Sequence, residues 1–347
     1  MTTIEPIHSE NFQPKDPSET DDKREESYGF FTKKVGLISP DIGFFVNKEA
    51  LEDNKFIKKE YIDMNEEEST EMAKVCFNNY VQELEDNGIG VEVFHQNTKA
   101  ADSIFPDWFT TARNPILPNG VLIISSMKTH ERRKERMEEL INELAIRYEN
   151  VIDLSFFENE GKFLELKGAL VTDWENGKIY CNLSERANEE VFDYMMDELN
   201  TIAAKTGDRR LQGIKFSSYD RNGDKIYHTD CIMTLFNQHA IICMEAIKDE
   251  DTRKMLIREI TDPSLNINPK EIISISFDES DNMCANMFNL LDINNNHCVV
   301  MSQRAFDNYS PKNLEIISQN YKVITVEIDI VENIGGGSAR CMLVELF

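Results

Sequence analysis

Hydrophobic and polar positions follow one arrangement that recurs five times along this chain. Each copy starts with an apolar strand, which a turn often joins to a second strand. An amphipathic helix of roughly 15–20 residues and a short β-branched strand complete the copy. The copies are spaced by roughly 50–65 residues, and repetition at such a period indicates a modular architecture.

The helices and the first strands of these copies can be placed on the sequence. The helices are predicted at Glu68–Asp86, Thr129–Tyr148, Asn188–Lys205, Glu250–Glu259 and Pro311–Gln319. The first strands are predicted at Lys34–Ser39, Ile104–Thr111, Lys162–Asp173, Ile226–Phe236 and Met283–Leu291. The tail, Ser338–Phe347, is predicted as one further strand.

The predicted fold class is α/β, a ring of five ββαβ units with pseudo-five-fold symmetry. Pairing of the C-terminal strand with the first unit would close the ring and remove open sheet edges. The alternative is an ordinary doubly wound α/β domain, but adjacent pairs of strands favour small mixed sheets over one parallel sheet. Residues 1–30 are polar and acidic and predict a disordered arm, so a single folded domain is placed at 31–347.

The composition narrows the class of protein. Apolar residues make up 41% of the 347 residues, enough for a substantial core, and no apolar run reaches the ~18 residues of a membrane helix. The formal net charge of −26 disfavours nucleic acid as a partner, because an acidic surface repels phosphate. Such a surface attracts cationic substrates, although charge of this kind often serves solubility alone. The polar N-terminus lacks the features of a signal peptide, so a cytoplasmic location is expected.

Cofactor and metal motifs are missing from the sequence. The seven cysteines form no CxxC pair, which argues against a metal site, and free thiols fit a reducing compartment. No glycine-rich phosphate motif leads from a strand into a helix, so no nucleotide cofactor is expected.

Polar residues of catalytic types stand at the openings of the predicted first strands. They are Asp107, Glu165, His228 with Asp230, Asn286 and Cys341. In a five-fold ring these strand ends would converge on the axis. A nucleophile, a proton-transfer residue and carboxylates would then meet in one pocket.

Cys341 has two interpretations. A cysteine in an apolar C-terminal segment is by default a buried core thiol. The preceding Gly335–Gly337 favours a functional role, because glycines permit positive φ and close approach of a ligand. Arg340 beside the thiol would favour the thiolate.

His228 and Asp230 also have two interpretations. A lone histidine that opens an apolar strand is more often structural. If the segment is extended, the His-x-Asp spacing places both side chains on one face, where one transfers protons and the other holds a cationic group.

The tail Gly335–Leu343, together with Tyr227–Asp230 and Phe105–Trp108, resembles the amidinotransferase or arginine deiminase superfamily. The similarity runs from about Val35 to the C-terminus and is greatest to amidinotransferase-like or citrulline-hydrolase-like proteins. Leu164–Val171 and Leu183–Arg186 match that branch in order and spacing.

The resemblance implies a pentein fold, a five-bladed α/β propeller, with a Cys–His–Glu apparatus and neither metal nor cofactor. By position, Cys341 is the nucleophile, His228 the general acid/base and Glu165 a supporting residue. Asp107 and Asp230 would hold the planar nitrogens of the substrate, and Arg186 would clamp an α-carboxylate.

The implied activity is hydrolysis of a guanidino or ureido compound such as arginine, citrulline or a methylated arginine. The expected partner is a small cationic or zwitterionic amino acid, and a homo-oligomer remains possible. Relatives often carry asparagine where this chain has Asp107 and Asp230, and glycine where it has Leu166. The additional carboxylates favour a charged guanidinium over a neutral urea. An amidinotransferase and a non-catalytic pentein binding module are the alternatives.

Overall fold

Within residues 29–207 and 209–347, which a computed structural model describes, the strands form five three-stranded sheets. The strands are β1 (Lys34–Ser39), β2 (Gly90–His95), β3 (Phe109–Asn114), β4 (Leu117–Ile124), β5 (Asn150–Asp153), β6 (Leu170–Asp173), β7 (Lys178–Asn182), β8 (Gln212–Phe216), β9 (Met233–Leu235), β10 (His239–Ile242), β11 (Glu271–Ser274), β12 (Phe288–Leu291), β13 (His297–Ser302), β14 (Lys322–Val326) and β15 (Val344–Leu346). The α-helices are α1 (Glu66–Asp86), α2 (His130–Arg133), α3 (Glu138–Arg147), α4 (Leu166–Ala169), α5 (Glu189–Ala203), α6 (Glu250–Thr261), α7 (Phe277–Asp281), α8 (Gln303–Asn308), α9 (Pro311–Asn320) and α10 (Asp329–Gly335).

Four of these sheets are built from consecutive strands. In each, an antiparallel pair is followed by a helical segment and a third strand that is parallel to the middle one. The remaining sheet joins the two ends of the described chain: β15 pairs antiparallel with β1, and β1 pairs parallel with β2. β15 therefore takes the place that β3, β6, β9 and β12 take in their own sheets. The predicted α/β ring of five repeated units is confirmed, with its closure by the C-terminal strand.

The long helices follow from their sequences. Asn65 caps α1 by accepting hydrogen bonds from the backbone N–H groups of Glu67 and Glu68, and the acidic first turn suits the helix dipole. The buried residues of α1 include Ala73, Phe77, Tyr80 and Leu84, which recur at helical spacing. α5 begins in the same way, with Asn188 as its N-terminal cap.

The hydrophobic core lies between neighbouring sheets. One cluster joins Phe94 near the end of β2, Leu122 of β4 and Leu346 of β15, and three further clusters link the other sheets around the ring. β15 packs beside β3, and β6 packs beside β9. Each sheet therefore buries its faces against its neighbours, which is why a single unit has no complete core of its own.

The first strands are shorter than the sequence predicts. The residues that precede β3, β6, β9, β12 and β15 form turns and short helices instead of strand. Side chains hold this backbone: Ser125 Oγ donates to the Asp107 carbonyl at 2.5 Å, and Thr229 Oγ1 donates to the Ala169 carbonyl at 2.5 Å. The apolar pattern alone does not reveal these bonds. The predicted strand bounds Ile104–Thr111 and Ile226–Phe236 are therefore wrong at their N-terminal ends.

The single helix predicted at Thr129–Tyr148 is also wrong, because the chain forms α2 and α3 with a break between them. Arg132 turns inward and is 3% exposed, and the Nη2 of Arg136 donates to the Ser125 carbonyl at 2.8 Å. Arg132 and Arg136, which belong to a charged segment, therefore bond to groups inside the protein.

The arm predicted for residues 1–30 lies outside the described residues, apart from Gly29 and Phe30. Across the described part of the chain, every helix is too short or too polar to cross a membrane.

Candidate active site

A pocket of about 310 Å³ lies where the segments before the first strands meet. Its walls include Asp107, Arg186, His228 and Cys341, together with Gly335–Gly337. Glu165 and Asp230 lie directly behind this wall, since Glu165 bonds to His228 and Asp230 to Cys341. The structure thus brings all six sequence-predicted site residues together.

Cys341 sits in a single 3-10 turn, Arg340–Met342, immediately before β15. Its Sγ accepts a hydrogen bond from Asn286 Nδ2 at 3.1 Å and donates to Asp230 Oδ2 at 3.4 Å. Asn286 Nδ2 also bonds to Asp230 at 3.1 Å, and Asn286 Oδ1 accepts from the Arg340 N–H. The amide of Asn286 therefore fixes the thiol and the Asp230 carboxylate relative to each other.

The surroundings of Cys341 favour its neutral thiol over the thiolate. Burial raises the pKa of the thiol, Asp230 and Asp107 raise it further, and Lys167 lowers it only in part. The Arg340 side chain lies over the Phe288 ring, with Nε 3.9 Å from Asp230. The expectation that Arg340 favours the thiolate of Cys341 stays a prediction, and among the described residues the charged partner nearest to Arg340 is Asp230.

The glycines before Cys341 are required by close packing. Gly336 has φ +67°, and a Cβ there would lie 2.5 Å from Asn54 Oδ1. A Cβ on Gly337 would lie 2.9 Å from the Phe105 ring. Asn54 Nδ2 donates to the Gly335 carbonyl at 3.1 Å, which ties this turn to the segment that follows β1.

His228 and Glu165 form a buried pair, with His228 Nε2 3.0 Å from Glu165 Oε2. Glu165 also accepts from Arg186 Nη1 at 3.2 Å and from the Lys128 N–H at 3.1 Å. Burial raises the pKa of Glu165, but Arg186 and His228 outweigh it and hold the pKa below its ordinary value. Glu165 is thus an anion that orients the imidazole through Nε2.

The expectation that His228 and Asp230 share one face of a strand is wrong. His228 has extended backbone, but Thr229–Cys231 is a 3-10 turn, so the period-two argument does not apply. Asp230 still reaches the site, where its Oδ2 lies 3.4 Å from Cys341 Sγ. Burial raises the pKa of Asp230, while His228 and Arg340 lower it in part.

Arg186 lies over the Tyr227 ring, 4.7 Å from its centroid. Its Nε donates to Asp53 Oδ2 at 3.0 Å, its Nη2 donates to Asp53 Oδ1, and its Nη1 donates to Glu165. A guanidinium has five N–H groups, so this arrangement leaves two for a further acceptor.

Arg132 and Asp102 are site residues that the sequence analysis missed. Arg132 Nη1 donates to Asp107 Oδ2 at 2.8 Å, and its Nε donates to Glu135 Oε1 at 3.0 Å. Asp102 is 4% exposed, and burial raises its pKa although Arg132 lowers it in part. Asp102 follows two buried alanines, and a carboxylate in such an apolar stretch is a sequence signal that could have identified it. Arg132 stands in a charged run and carries no such signal.

Two carboxylate oxygens in this pocket are unsatisfied. Among the described residues, Asp102 Oδ1 and Asp107 Oδ1 are buried and have no hydrogen-bond partner. A buried acceptor without a donor is costly, so these oxygens mark the place where a ligand's N–H groups would bind. The described residues contain no group of three or more His, Cys, Asp or Glu side chains arranged for a metal ion.

A ring of five small α/β sheets that carries a cysteine, a histidine and buried carboxylates beside its innermost strands defines a pentein, the class of the guanidino-modifying enzymes. The chain belongs to the family of eukaryotic N,N dimethylarginine dimethylhydrolases, whose sequence model matches residues 41–347. No curated protein sequence matches the chain.

Solved structures share the fold at low sequence identity. The apo structure of ArgZ, described as an arginine dihydrolase from the ornithine–ammonia cycle in cyanobacteria, is 15% identical with a TM-score of 0.65. That match covers 90% of this chain and 40% of ArgZ, so the chain spans less than half the length of ArgZ.

Two smaller structures match over nearly their whole length. The N-terminal domain of an ArgZ variant, covalently bound to a reaction intermediate, is 15% identical with a TM-score of 0.65, and 97% of it and 90% of this chain are covered. A cysteine-to-serine variant of DDAH from Pseudomonas aeruginosa, in complex with citrulline, is 16% identical with a TM-score of 0.59, covering 91% of this chain and all of that one.

Proposed function

We propose that this protein is a hydrolase that cleaves a C–N bond at the central carbon of a small cationic guanidino compound. The chemistry belongs to one catalytic domain over residues 31–347. Cys341 acts as nucleophile, His228 as general acid/base and Glu165 as its support. Asp107, Asp230 and Arg186 bind the substrate. Arginine and methylated arginines are the preferred candidates, ahead of the neutral ureido group of citrulline.

The observation that carries this proposal is the pair of unsatisfied oxygens in the pocket. Asp102 Oδ1 and Asp107 Oδ1 need N–H donors, and a guanidinium offers several in one plane. Cys341 lines the same pocket, so a guanidinium held there has its carbon near the sulfur. Such fixed orientation supplies much of the rate for a weak electrophile.

The cationic substrate also explains how a protonated thiol becomes a nucleophile. Asp107 and Asp230 raise the pKa of Cys341. A guanidinium placed between them offsets their charge, so binding lowers the pKa of the thiol. Only a cation does this, which favours a guanidino over a ureido substrate.

The first half of the reaction forms a covalent intermediate. The Cys341 thiol gives its proton to His228, and the resulting thiolate attacks the guanidino carbon to form a tetrahedral adduct. His228 donates a proton to the departing amine, and the C–N bond breaks to leave an S-alkylthiouronium on Cys341. In the second half, His228 removes a proton from water, which attacks the same carbon, and the C–S bond breaks to release the product and the thiolate. The covalent intermediate in the N-terminal domain of ArgZ supports this course by analogy.

The test measures released ammonia, methylamine or dimethylamine together with citrulline and ornithine. The purified protein would be offered arginine, methylated arginines and citrulline. Cys341→Ala is expected to abolish release, whereas Cys76→Ala, which removes a half-buried thiol on α1, should leave it unchanged. Asp102→Asn is expected to raise KM about 10-fold or more, since it removes the charge that pairs with the guanidinium.

The same assay separates hydrolysis from group transfer. Amine release that depends on added acceptor amine, with no citrulline formed in water alone, would replace the hydrolase by an amidinotransferase. Absence of any product, with Cys341 unreactive towards electrophiles, would reject catalysis altogether.

A further inference from the structure

Lys167 makes an unusual set of contacts beside the nucleophile. Its Nζ donates to the carbonyls of Arg340 at 3.2 Å and Cys341 at 2.8 Å, and also to that of Leu343. All three acceptors belong to the turn that carries Cys341 and leads into β15. The side chain of Lys167 is 11% exposed.

An ammonium has three N–H donors, and these contacts use all of them on backbone carbonyls. The nearest ion-pair partner among the described residues is Asp107 Oδ1, at 4.0 Å and beyond hydrogen-bond range. Buried lysines are normally paired with a carboxylate, because an unneutralised charge in a protein interior is unfavourable. The positive charge of Lys167 therefore has no carboxylate of the described residues bonded directly to it, and it acts on the ionisation of the groups around it.

Those groups include both signs of charge. Asp107 and Asp230 face Lys167 from the pocket side, Glu345 faces it from β15, and Arg340 is the neighbouring cation. Burial lowers the pKa of Lys167, and Asp107 and Cys341 oppose that shift. Lys167 is in turn the cation that lowers the pKa of the Cys341 thiol.

The position of Lys167 in the chain links the two halves of the site. Glu165, two residues earlier, holds His228, and Gly168, the next residue, lies against the imidazole. One turn of chain, residues 165–168, thus contacts both the proposed base and the proposed nucleophile.

We propose that Lys167 is a positioning residue that fixes the Cys341 turn through its three carbonyl contacts and stabilises the Cys341 thiolate with its charge. The proposal rests on the assignment of Cys341 as the nucleophile. A purely structural lysine would hold the turn without affecting ionisation of the sulfur.

The test is the pH dependence of alkylation of Cys341 by iodoacetamide, without substrate. Trypsin cuts after Arg340, so the peptide Cys341–Phe347 reports this cysteine alone among the seven. Lys167→Gln keeps amide donors for the carbonyls but removes the charge, and Lys167→Arg keeps both. Lys178→Gln is the matched control, because Lys178 is also buried but pairs with Glu259.

Lys167→Gln is expected to move the midpoint of the alkylation profile up by about one pH unit, which slows alkylation about 10-fold below the midpoint. Lys167→Arg and Lys178→Gln should keep the wild-type midpoint. Thermal unfolding of each variant shows that the fold is intact. If Lys167→Gln is alkylated at the wild-type rate, or if Lys167→Arg is slowed as much as Lys167→Gln, the proposed charge effect is wrong.

Turnover measured in parallel keeps this inference apart from the proposed function. If wild type hydrolyses a guanidino compound but Lys167→Gln has the wild-type midpoint, the proposed role of Lys167 is rejected and the proposed activity is retained. A shifted midpoint in a protein that hydrolyses none of the guanidino compounds supports the role of Lys167 and rejects that substrate class.

Discussion

Replacing Gly168 by alanine adds one methyl group beside His228. A Cβ at residue 168 would lie 2.7 Å from His228 Cγ, and nearer still to Nδ1 and Cε1 of the ring. Gly168 lies within α4 and does not have a positive φ, so the alanine backbone itself is unstrained. Any effect of the substitution must therefore pass through the imidazole.

The size of the effect follows from that geometry. Ordinary carbon contacts begin at about 3.4 Å, so the ring must move by about 1 Å or more. Such a shift breaks the 3.0 Å bond between His228 Nε2 and Glu165. Displacement of a reacting group by about 1 Å costs on the order of 100-fold in rate, and overpacking a core costs about 1–3 kcal/mol of stability.

The assay compares kcat/KM and the free energy of unfolding of Gly168→Ala with those of wild type. Gly207→Ala is the matched control, because a Cβ there meets nothing within 4 Å. The double variant Gly168→Ala/His228→Ala should recover the stability lost by crowding, since the ring is gone. Wild-type stability and activity in Gly168→Ala would refute the placement of His228.

Two further predictions concern the buried anion and the closure of the ring. Glu165→Gln should be less stable than wild type at pH 7, because the lowered pKa of Glu165 contributes stability above its ordinary value of 4.5. That difference should begin to shrink as the pH falls below about 4.5 and be lost only as the pH passes through the lowered pKa of Glu165. Denaturant unfolding that gave equal differences at pH 7 and pH 3 would contradict it. Leu346→Ala in β15 should cost about 2–5 kcal/mol in the same measurement, whereas Ile267→Ala, 77% exposed, should change it by less than about 0.5 kcal/mol. A small cost at Leu346 would mean that β15 contributes little to the ring.

The repeat architecture could be predicted because it depends on hydrophobic period, which a sequence shows directly. β1 and β13 begin and end where the pattern changes, and the cap Asn188 marks the start of α5. The first strands were predicted too long because buried turns are as apolar as strands. In Ile226–Phe236, the chain bends where Thr229 Oγ1 donates to the carbonyl of Ala169, a backbone partner that is distant in sequence.

The residues of the candidate site also fall into two groups, those that the sequence reveals and those that only the structure reveals. His228 stands out in the sequence because histidine is uncommon in an apolar segment, and Cys341 stands out because three glycines lie shortly before it. Arg132 does not stand out, because it lies among other charged residues. Only the structure shows that this residue of α2 points inward to Asp107. Asp53 is equally hidden, since its link to Arg186 joins segments 133 residues apart.

The same C-terminal segment completes both the ring and the site. Cys341 lies three residues before β15, which pairs with β1. Glu165 belongs to the third unit and His228 to the fourth. The Cys341 turn leads into β15, so closure of the ring also brings the sulfur to the pocket that His228 lines. Lys167 reinforces that link, because it binds carbonyls on both sides of the turn that joins Cys341 to β15. A substitution that loosens β15 should therefore reduce the reactivity of Cys341 as well as the stability of the fold.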